Sequence, residues 1–436
     1  MDTFLPIAMA AITLVGILSG YRVAFVLAGA AAIFILVSDL PEAFFRLIVS
    51  RIYANVLSNW LLVAIPMFIF MGLLLEKSGV AERSLRAAQA ALGGSPAGMA
   101  ISVLVFGVLL AASSGIVGAS VVLLTLLAMP RLLEAGYDKS TAAGIVATSG
   151  TLAILIPPSV MLIVLGDQLQ APIPSMFAGA IGPGILLVAL YSAYMFVRSR
   201  GLKSETENAY QRPTLVRTVM DIGPLLLLVF CVLGAIIGGV ATPTEASGLG
   251  ALGAIVIALL YGKFSIAVTM AAARDTVVAT SMVLMVMIGA TCFSAVFRGV
   301  GGDELIRSGL EALGGGPWTV LVVVMCAIFV LGFVLDWLEI TLILLPIFAP
   351  IIAGLDFGNG LERETVLIWF GILVAVNLQT SFLTPPFGFS LFYLRGAAKE
   401  LVSTTQVYRG VMPFIALQLI ALGLLMAFPW IVTGLT

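Results

Sequence analysis

The chain contains no histidine, and only three of its 436 residues are cysteine. Without histidine the commonest metal ligand and the commonest proton shuttle are both missing, which argues against haem, zinc centres and histidine relays. Cys231, Cys292 and Cys326 stand far apart in apolar stretches, so they read as small packing residues rather than a metal cluster. Charge is scarce too. Only 10% of the residues are charged, where an ordinary soluble domain has roughly 25%. With 21 basic and 22 acidic residues the net charge is -1, which gives no sign of a nucleic-acid partner. There is no Walker sequence, and no polar stretch is long enough to fold into an extramembrane active site. An enzyme is therefore not expected: Ser114 followed by Gly115 has no histidine to activate it.

What the chain does have is apolar surface. Hydrophobic residues make up 61% of it, and the mean hydropathy is +1.18. These values identify an all-α, polytopic protein whose solvent is the lipid bilayer. A spanning helix needs about 20 apolar residues, so ten or more membrane segments fit. The stretch from Phe4 to Leu18 has no basic region before it and no A-x-A site after it, so residues 1–21 read as a retained first span rather than a cleaved signal peptide.

Two double prolines interrupt long apolar segments at matching places, Pro157–Pro158 in ILIPPSV and Pro385–Pro386 in SFLTPPFG. Proline cannot donate a backbone hydrogen bond and pushes the preceding residue out of helical geometry, so each pair breaks a helix. Broken backbone at membrane depth survives only where protein covers it or an aqueous cavity reaches it. Paired breaks of this kind point to the substrate and ion sites of a secondary transporter.

The rest of the chain also reads twice through one plan. A span from Arg22 to Val37 leads into Phe44–Val56, with Arg46, Ser50 and Arg51 on its polar side; Thr244–Tyr261 leads likewise into Phe264–Asp275. Both second segments suit helices lying along the interface. Asn59–Glu76, with Pro66 inside, and Thr280–Phe297, with Gly289 inside, are expected to be hairpins. A long apolar helix then ends near Pro130 or Pro346, and the double proline follows. Pro346 lies 216 residues after Pro130 and Pro385 lies 228 after Pro157, so one repeat of about 220 residues fits. The divisions are 1–21, a first repeat 22–197, a polar loop 198–217, a linking span 218–243, and a second repeat with a C-terminal span, 244–436. Arg198, Arg200, Lys203, Arg212 and Arg217 make the central loop cytoplasmic by the positive-inside rule. The first interfacial segment then lies outside and its counterpart inside, which makes the repeats inverted.

Four stretches carry candidate chemistry. AASSGIVGAS, residues 111–120, gathers Ser113, Ser114, Gly115, Gly118 and Ser120, and small residues of this kind ordinarily mean close helix packing. Its partner TSGTLAILIPPS brings Thr148, Ser149, Gly150 and Thr151 to the first break, and hydroxyls with freed carbonyls form an oxygen cage suited to a sodium ion. In the second half LGFVLDWLEITLILLP faces NLQTSFLTPP. Asp336 and Glu339 are the most deeply placed carboxylates there, and a charge at that depth normally faces a cavity or a partner. Asn377, Gln379, Thr380 and Thr384 would supply neutral oxygens for a second cage. Thr242, Thr244 and Glu245 in ATPTEA fit either a site or a helix start.

These residues resemble the large membrane subunit of tripartite ATP-independent periplasmic (TRAP) transporters, the DctM-like M subunit. The resemblance rests on NWLLVAIPMFIFMGLLLEKSGVAERSL, GYDKSTAAGIVATSGTLAILIPPSVMLIVLG, GGVATPTEASGLGALGA, LGFVLDWLEITLILLPIFAPII and WFGILVAVNLQTSFLTPPFGFSLFYLRG, in that order over nearly the whole chain. It implies a sodium-driven, elevator-type importer of a small organic anion in the bacterial inner membrane, with two inverted repeats, helical hairpins and discontinuous helices. Its partners would be a small four-helix Q subunit and a periplasmic P subunit that delivers substrate. Carried onto this chain, the first sodium site would use Ser114, Gly115, Gly150 and Pro157, and the second Gly332, Asn377, Thr380 and Thr384. Ser159, Asp336, Gly118 and Gln379 would lie toward the substrate. Two departures from the family pattern stand out. Ile116 and Val117 replace small hydroxyl residues, and Gln379 stands where glutamate is commoner, which suits a more apolar or monoanionic substrate. An autonomous transporter of the same plan, or a structural membrane subunit that moves nothing, are the alternative readings.

Overall fold

The computed structural model describes residues 3–38, 40–114, 117–202, 215–312, 314–358, 360–386 and 388–436, without the side chains of 111–114 and 215. The described residues form α-helices with short 3-10 and π turns, and no strand occurs among them. Eight of these helices are long and apolar enough to cross a membrane alone. Helix starts follow local chemistry. The Asp138 carboxylate accepts the Thr141 N–H at 3.1 Å to begin Lys139–Thr151. Thr242 and Glu245 form a reciprocal capping box at the head of Pro243–Leu260, so ATPTEA is a helix start. Ser403 and Gln406 do the same for Thr404–Ala427.

The two halves share one order of parts. Val23–Val37 and Pro243–Leu260 begin 220 residues apart, as do Pro96–Ser114 and Gly316–Leu331, and Val117–Glu134 and Trp337–Ile343. Lys139–Thr151 and Val160–Leu169 then correspond to Arg363–Leu383 and Phe389–Ala397, and Ile173–Ser199 to Thr404–Ala427.

Asn59–Glu76 and Thr280–Phe297 are not hairpins. The Asn59 side chain accepts from the Leu61 N–H and starts a 3-10 turn, Trp60–Val63, that runs into Ala64–Lys77. Pro66 falls in the first turn of that helix, where a missing N–H is tolerated. Thr280–Phe297 belongs to one 34-residue helix, Ile266–Gly299. Gly289 marks a close approach, not a break: a Cβ there would stand 2.5 Å from the Ala24 carbonyl oxygen. At 1.5 Å per residue this helix is about 51 Å long, so the expected interfacial segment 264–275 and the following span are one rod. In the first half the equivalent segment is separate, as Ala43–Ile52 and a π turn, Tyr53–Leu57, exposing Phe45, Leu47 and Val49.

The hairpins come one element later, where single helices were expected. Pro96–Ser114 packs beside Val117–Glu134, and the Tyr137 hydroxyl donates to the Pro96 carbonyl at 3.0 Å, closing the base. The second hairpin pairs Gly316–Leu331 with Trp337–Ile343 and Leu345–Ile352, and its base is closed by Trp318 against Phe357 at 5.4 Å. Pro130 lies inside its helix, and Pro346 sits in the first turn of a helix that has just restarted.

Close contacts fix the relative direction of the halves. Gly144, near the first hairpin's base, lies against the Gly410 carbonyl, near the start of Thr404–Ala427. Gly179, near the start of Ile173–Ser199, packs by Ile368 and Val432, at the base end of the second half. The base of each hairpin thus shares a side with the far end of the other, and the repeats are inverted. They also interlock, since Val160–Leu169 packs against Trp337–Ile343 and Phe389–Ala397 against Val117–Glu134.

Two groups of helices result. Phe4–Leu18, Val23–Val37, Ala64–Lys77, Leu215–Ile237, Pro243–Leu260 and Ile266–Gly299 form a lateral wall, tied by Lys77–Asp275 at 2.7 Å; the connecting helix Val80–Leu92 packs on Pro96–Ser114 and reaches back to the wall through Arg83–Asp221 at 2.5 Å. The hairpins, the interrupted helices and the two spans that follow them form the other group. At its centre lies Arg363–Leu383, whose most apolar window is 94% buried. Cys231 and Cys326 are exposed on helix faces, so neither is the packing residue expected; an apolar face turned to lipid accepts a thiol as readily.

Candidate functional site

Each hairpin tip meets the helix interrupted by a double proline. In the first half Lys139–Thr151 is pressed between both hairpin arms. A Cβ on Gly107 would fall 2.8 Å from that of Ser149, and one on Gly150 would fall 2.5 Å from Val121 Cγ2. A 3-10 turn, Leu152–Ile154, and the buried prolines follow, with a cis bond between Pro157 and Pro158. The fully buried Ser159 hydroxyl donates back across the break to the Ile154 carbonyl at 2.6 Å. Thr148 Oγ1 and Ser149 Oγ are buried without a hydrogen-bond partner. Gly115 lies outside the described residues, as does the side chain of Ser114.

The second half repeats the construction. Gly332, at the hairpin tip, lies against Ser381, and Asn377 Nδ2 donates to the Met325 carbonyl at 2.7 Å. The Thr380 hydroxyl donates to Val376 at 3.0 Å and that of Thr384 to Thr380 at 2.8 Å. With their protons committed to backbone carbonyls, both oxygens keep lone pairs for another ligand. Pro385–Pro386 is again cis, and Ser390 donates to the Phe382 carbonyl at 2.6 Å, as Ser159 does to Ile154. Gln379 is fully buried, yet neither its oxygen nor its nitrogen has a partner.

Between the tips lies a cavity of about 430 Å³, whose walls include Gly118, Val160, Asp336, Glu339, Phe389 and Tyr393. The Asp336 carboxylate caps Trp337–Ile343 by accepting the Trp337 N–H at 2.8 Å and faces this space. A second cavity of about 770 Å³ shares Val23, Met282 and Glu339 with the first and reaches Arg22, just before Val23–Val37.

Of the four residues expected toward the substrate, the structure brings Gly118 and Asp336 to the cavity. Ser159 and Gln379 lie behind its wall, buried beside the helix breaks. Gly150 lies against Val121 of the first hairpin, and Gly332 and Asn377 lie against Ser381 and Met325 in the second half; Pro157, Thr380 and Thr384 stand at or just before the breaks. Sequence reasoning missed Ser381, Ser390 and Tyr393. Aligning the second double proline on the first would have found Ser390, which plays the part of Ser159; the Tyr393 ring lies against Gly118. Among the described residues no three Asp, Glu or Cys gather as a metal cluster. The oxygens that fit a small hard cation are neutral ones at the two breaks.

The family model of the DctM component of tripartite ATP-independent periplasmic transporters matches residues 10–431. The chain belongs to this family. As a DctM component it is a multi-pass membrane transport protein and not an enzyme, one part of a three-part system. It is 31% identical to the isethionate TRAP transporter permease DctMQ of Oleidesulfovibrio alaskensis over 86% of this chain, and spans 58% of that protein's length. It is 30% identical to the ectoine large permease TeaC of Halomonas elongata, covering 85% of this chain and 84% of that one. With the C4-dicarboxylate large permease DctM of Vibrio cholerae the identity is 29% over 86% of each. Among solved structures the YdaH transporter of Alcanivorax borkumensis, described as having an unusual topology, shares the fold with a TM-score of 0.65 at 15% identity, over 98% of this chain and 99% of that one.

Proposed function

We propose that this DctM component is the moving permease of a sodium-coupled, binding-protein-dependent importer of a small organic anion, working as an elevator in the bacterial inner membrane. The observation that carries the reading is the pair of inverted hairpin tips, each facing a double-proline break, around one cavity with a carboxylate in its wall. Interrupted helices supply amides and carbonyls to ligands at membrane depth. The unpartnered Thr148 and Ser149 hydroxyls at one break and the Gln379 amide at the other suit a site that a cation or substrate completes.

Sidedness follows from charge. Among the described residues, Arg46, Arg51, Arg298, Arg307 and Arg363 are the lysines and arginines on elements at the end opposite the central loop, fewer than at the loop end. The loop end is thus cytoplasmic.

Isethionate and C4-dicarboxylate relatives favour an anion, and the ectoine relatives widen the class to a zwitterion. The Q-type partner would cover part of the exposed apolar wall, where Leu227, Phe230, Met270, Val277 and Val278 stand at more than half exposure. A P-type periplasmic protein would deliver the substrate.

The test is uptake of radiolabelled isethionate, succinate, ectoine and N-acetylneuraminate into proteoliposomes, with the genetically neighbouring binding protein present or absent. Uptake that needs both the binding protein and an inward sodium gradient is expected. Two sodium ions with one monoanion carry one net charge, worth about 2.3 kcal/mol per 100 mV, so an inside-negative potential should accelerate it. Uptake driven by protons without sodium would overturn the coupling.

A further inference from the structure

Among the described residues, one side-chain hydrogen bond joins the wall, with the arm 43–57 and the Trp60–Val63 turn that precede Ala64–Lys77, directly to the hairpin group: Asn59 Nδ2 donates to Asp167 Oδ1 at 2.8 Å. The connecting helix Val80–Leu92, which belongs to neither group, bonds to the wall through Arg83 and Ser84, both on Asp221. Lys77–Asp275 ties the wall, whereas Arg198–Asp138, Asn377 to Met325 and Trp369 to Leu425 tie the hairpin group.

Both partners are held ready. Asn59 is the cap that starts Trp60–Val63, and its Oδ1 accepts the Leu61 N–H at 3.2 Å, which fixes the amide so that only its NH2 reaches across. Asp167 stands in the last turn of Val160–Leu169, a helix stopped three residues later by Gln170 in the left-handed conformation at φ 53°. Its second oxygen accepts from Gln168 Nε2 at 3.0 Å. The carboxylate is therefore satisfied by neutral amides. A carboxylate near a helix C-terminus also opposes the helix dipole, so its position is not explained by helix stability.

We propose that Asn59 and Asp167 are positioning residues that hold the hairpin group in the resting conformer, and that their hydrogen bond opens in each transport cycle. This rests on the sliding motion assigned under Proposed function. The surroundings suit a bond that must break. It borders a cavity of about 540 Å³ lined by Arg51, Asn55, Thr291, Ser294 and Arg298. Water there can take over both partners, so opening does not leave a buried charge bare. The wall side of that cavity is fixed, and Gly166–Ala171 on its other side belongs to the group that would move.

The experiment uses the complex in lipid nanodiscs, with Cys231, Cys292 and Cys326 replaced and spin labels on Tyr53→Cys, in the arm, and Gln170→Cys, beyond the half-helix; both sites are exposed. Distance distributions are recorded for this parent and for Asn59→Ala, Asp167→Ala, the double alanine variant and Asp167→Asn. A dominant resting distance with a minor second population is expected in the parent. Each single alanine should raise the second population roughly tenfold, the size a hydrogen bond to a charged acceptor gives. The double variant should go no further than either single, and Asp167→Asn, which still accepts from Asn59, should restore most of the resting population. A second population of the same size in every variant would overturn the latch and leave the sliding motion standing. A single population in all of them, parent included, would overturn both.

Discussion

Gly332 lies so close to Ser381 that a Cβ at position 332 would fall 2.6 Å from the serine's own Cβ. The backbone at Gly332 is right-handed helical, at φ -64°, so alanine meets no torsional objection and the conflict is purely steric. Gly332→Ala should push the second tip off its interrupted helix. Overpacking of this kind costs about 1–3 kcal/mol. Thermal unfolding in detergent should show the loss, and sodium-dependent uptake should fall further than stability does. Ser381→Gly in the same chain makes room for the new methyl and should recover both; failure to recover would show that Gly332 matters for something other than this contact.

The serines that follow the two breaks are a second pair to test. Ser159 and Ser390 each return a hydroxyl proton to a carbonyl released by the prolines. Alanine at either position leaves that buried carbonyl unpaired, at a cost of about 1–3 kcal/mol. Both variants should melt earlier by similar amounts, and cysteine, a weaker donor of similar size, should lie between serine and alanine. Equal melting of serine and alanine forms would mean that water reaches the carbonyls.

The sequence made the breaks and the repeat legible because proline and glycine act locally, through a missing N–H and a missing Cβ. The hairpins were misplaced for the same reason. Pro66 and Gly289 carry those local signals, but one sits in a first turn and the other at a helix crossing, and only tertiary contacts with Ala24 and the wall reveal the difference. The stretches that join the hairpin arms contain no proline: AASSGIVGAS and LGFVLD hold small and mixed residues that read equally well as packing. Candidate oxygens at Thr380 and Thr384 were visible from their spacing before Pro385. Ser381, Tyr393 and the Asn59–Asp167 link were not, because each depends on a partner far along the chain.

Gln379 offers a separation of stability from function. Its amide is fully buried with no partner for either end, and such a group costs about 1–3 kcal/mol unless something bound satisfies it. Gln379→Leu should raise the melting temperature in the absence of sodium and substrate while lowering uptake. A variant that loses both stability and uptake would show that the amide is satisfied within the protein.

At the hairpin base Asp138 carries a pH dependence that can be signed. Burial acts most strongly and would raise its carboxyl, but hydrogen bonds from the Thr141 hydroxyl and amide, with the Arg198 charge, outweigh it and leave the group below its usual range. A lowered folded value contributes stability above the unfolded value, near pH ~3.9, and loses it as pH falls through the folded one. Asn is as good a helix cap, so Asp138→Asn removes only the charged part. The melting difference between parent and variant should be small, because the side chain is 56% exposed, and it should vanish under acid conditions.

Asp336 tests whether the cavity carboxylate works as a charge or as a cap. Its side chain accepts the Trp337 N–H at 2.8 Å, a bond that an asparagine oxygen can also accept. Asp336→Asn should therefore leave the second hairpin intact, with stability changed by no more than about 1 kcal/mol. The negative charge facing the cavity is lost, and with it the attraction that a cation crossing beside the substrate would feel at membrane depth. Initial uptake at saturating sodium should fall at least about tenfold, and the sodium concentration for half-maximal uptake should rise. Asp336→Ala removes cap and charge together, so it should add a fall in melting temperature to the same transport defect. If asparagine transports as the parent does while alanine fails, the carboxylate serves the helix alone and the cavity binds its ions through the neutral oxygens at the breaks.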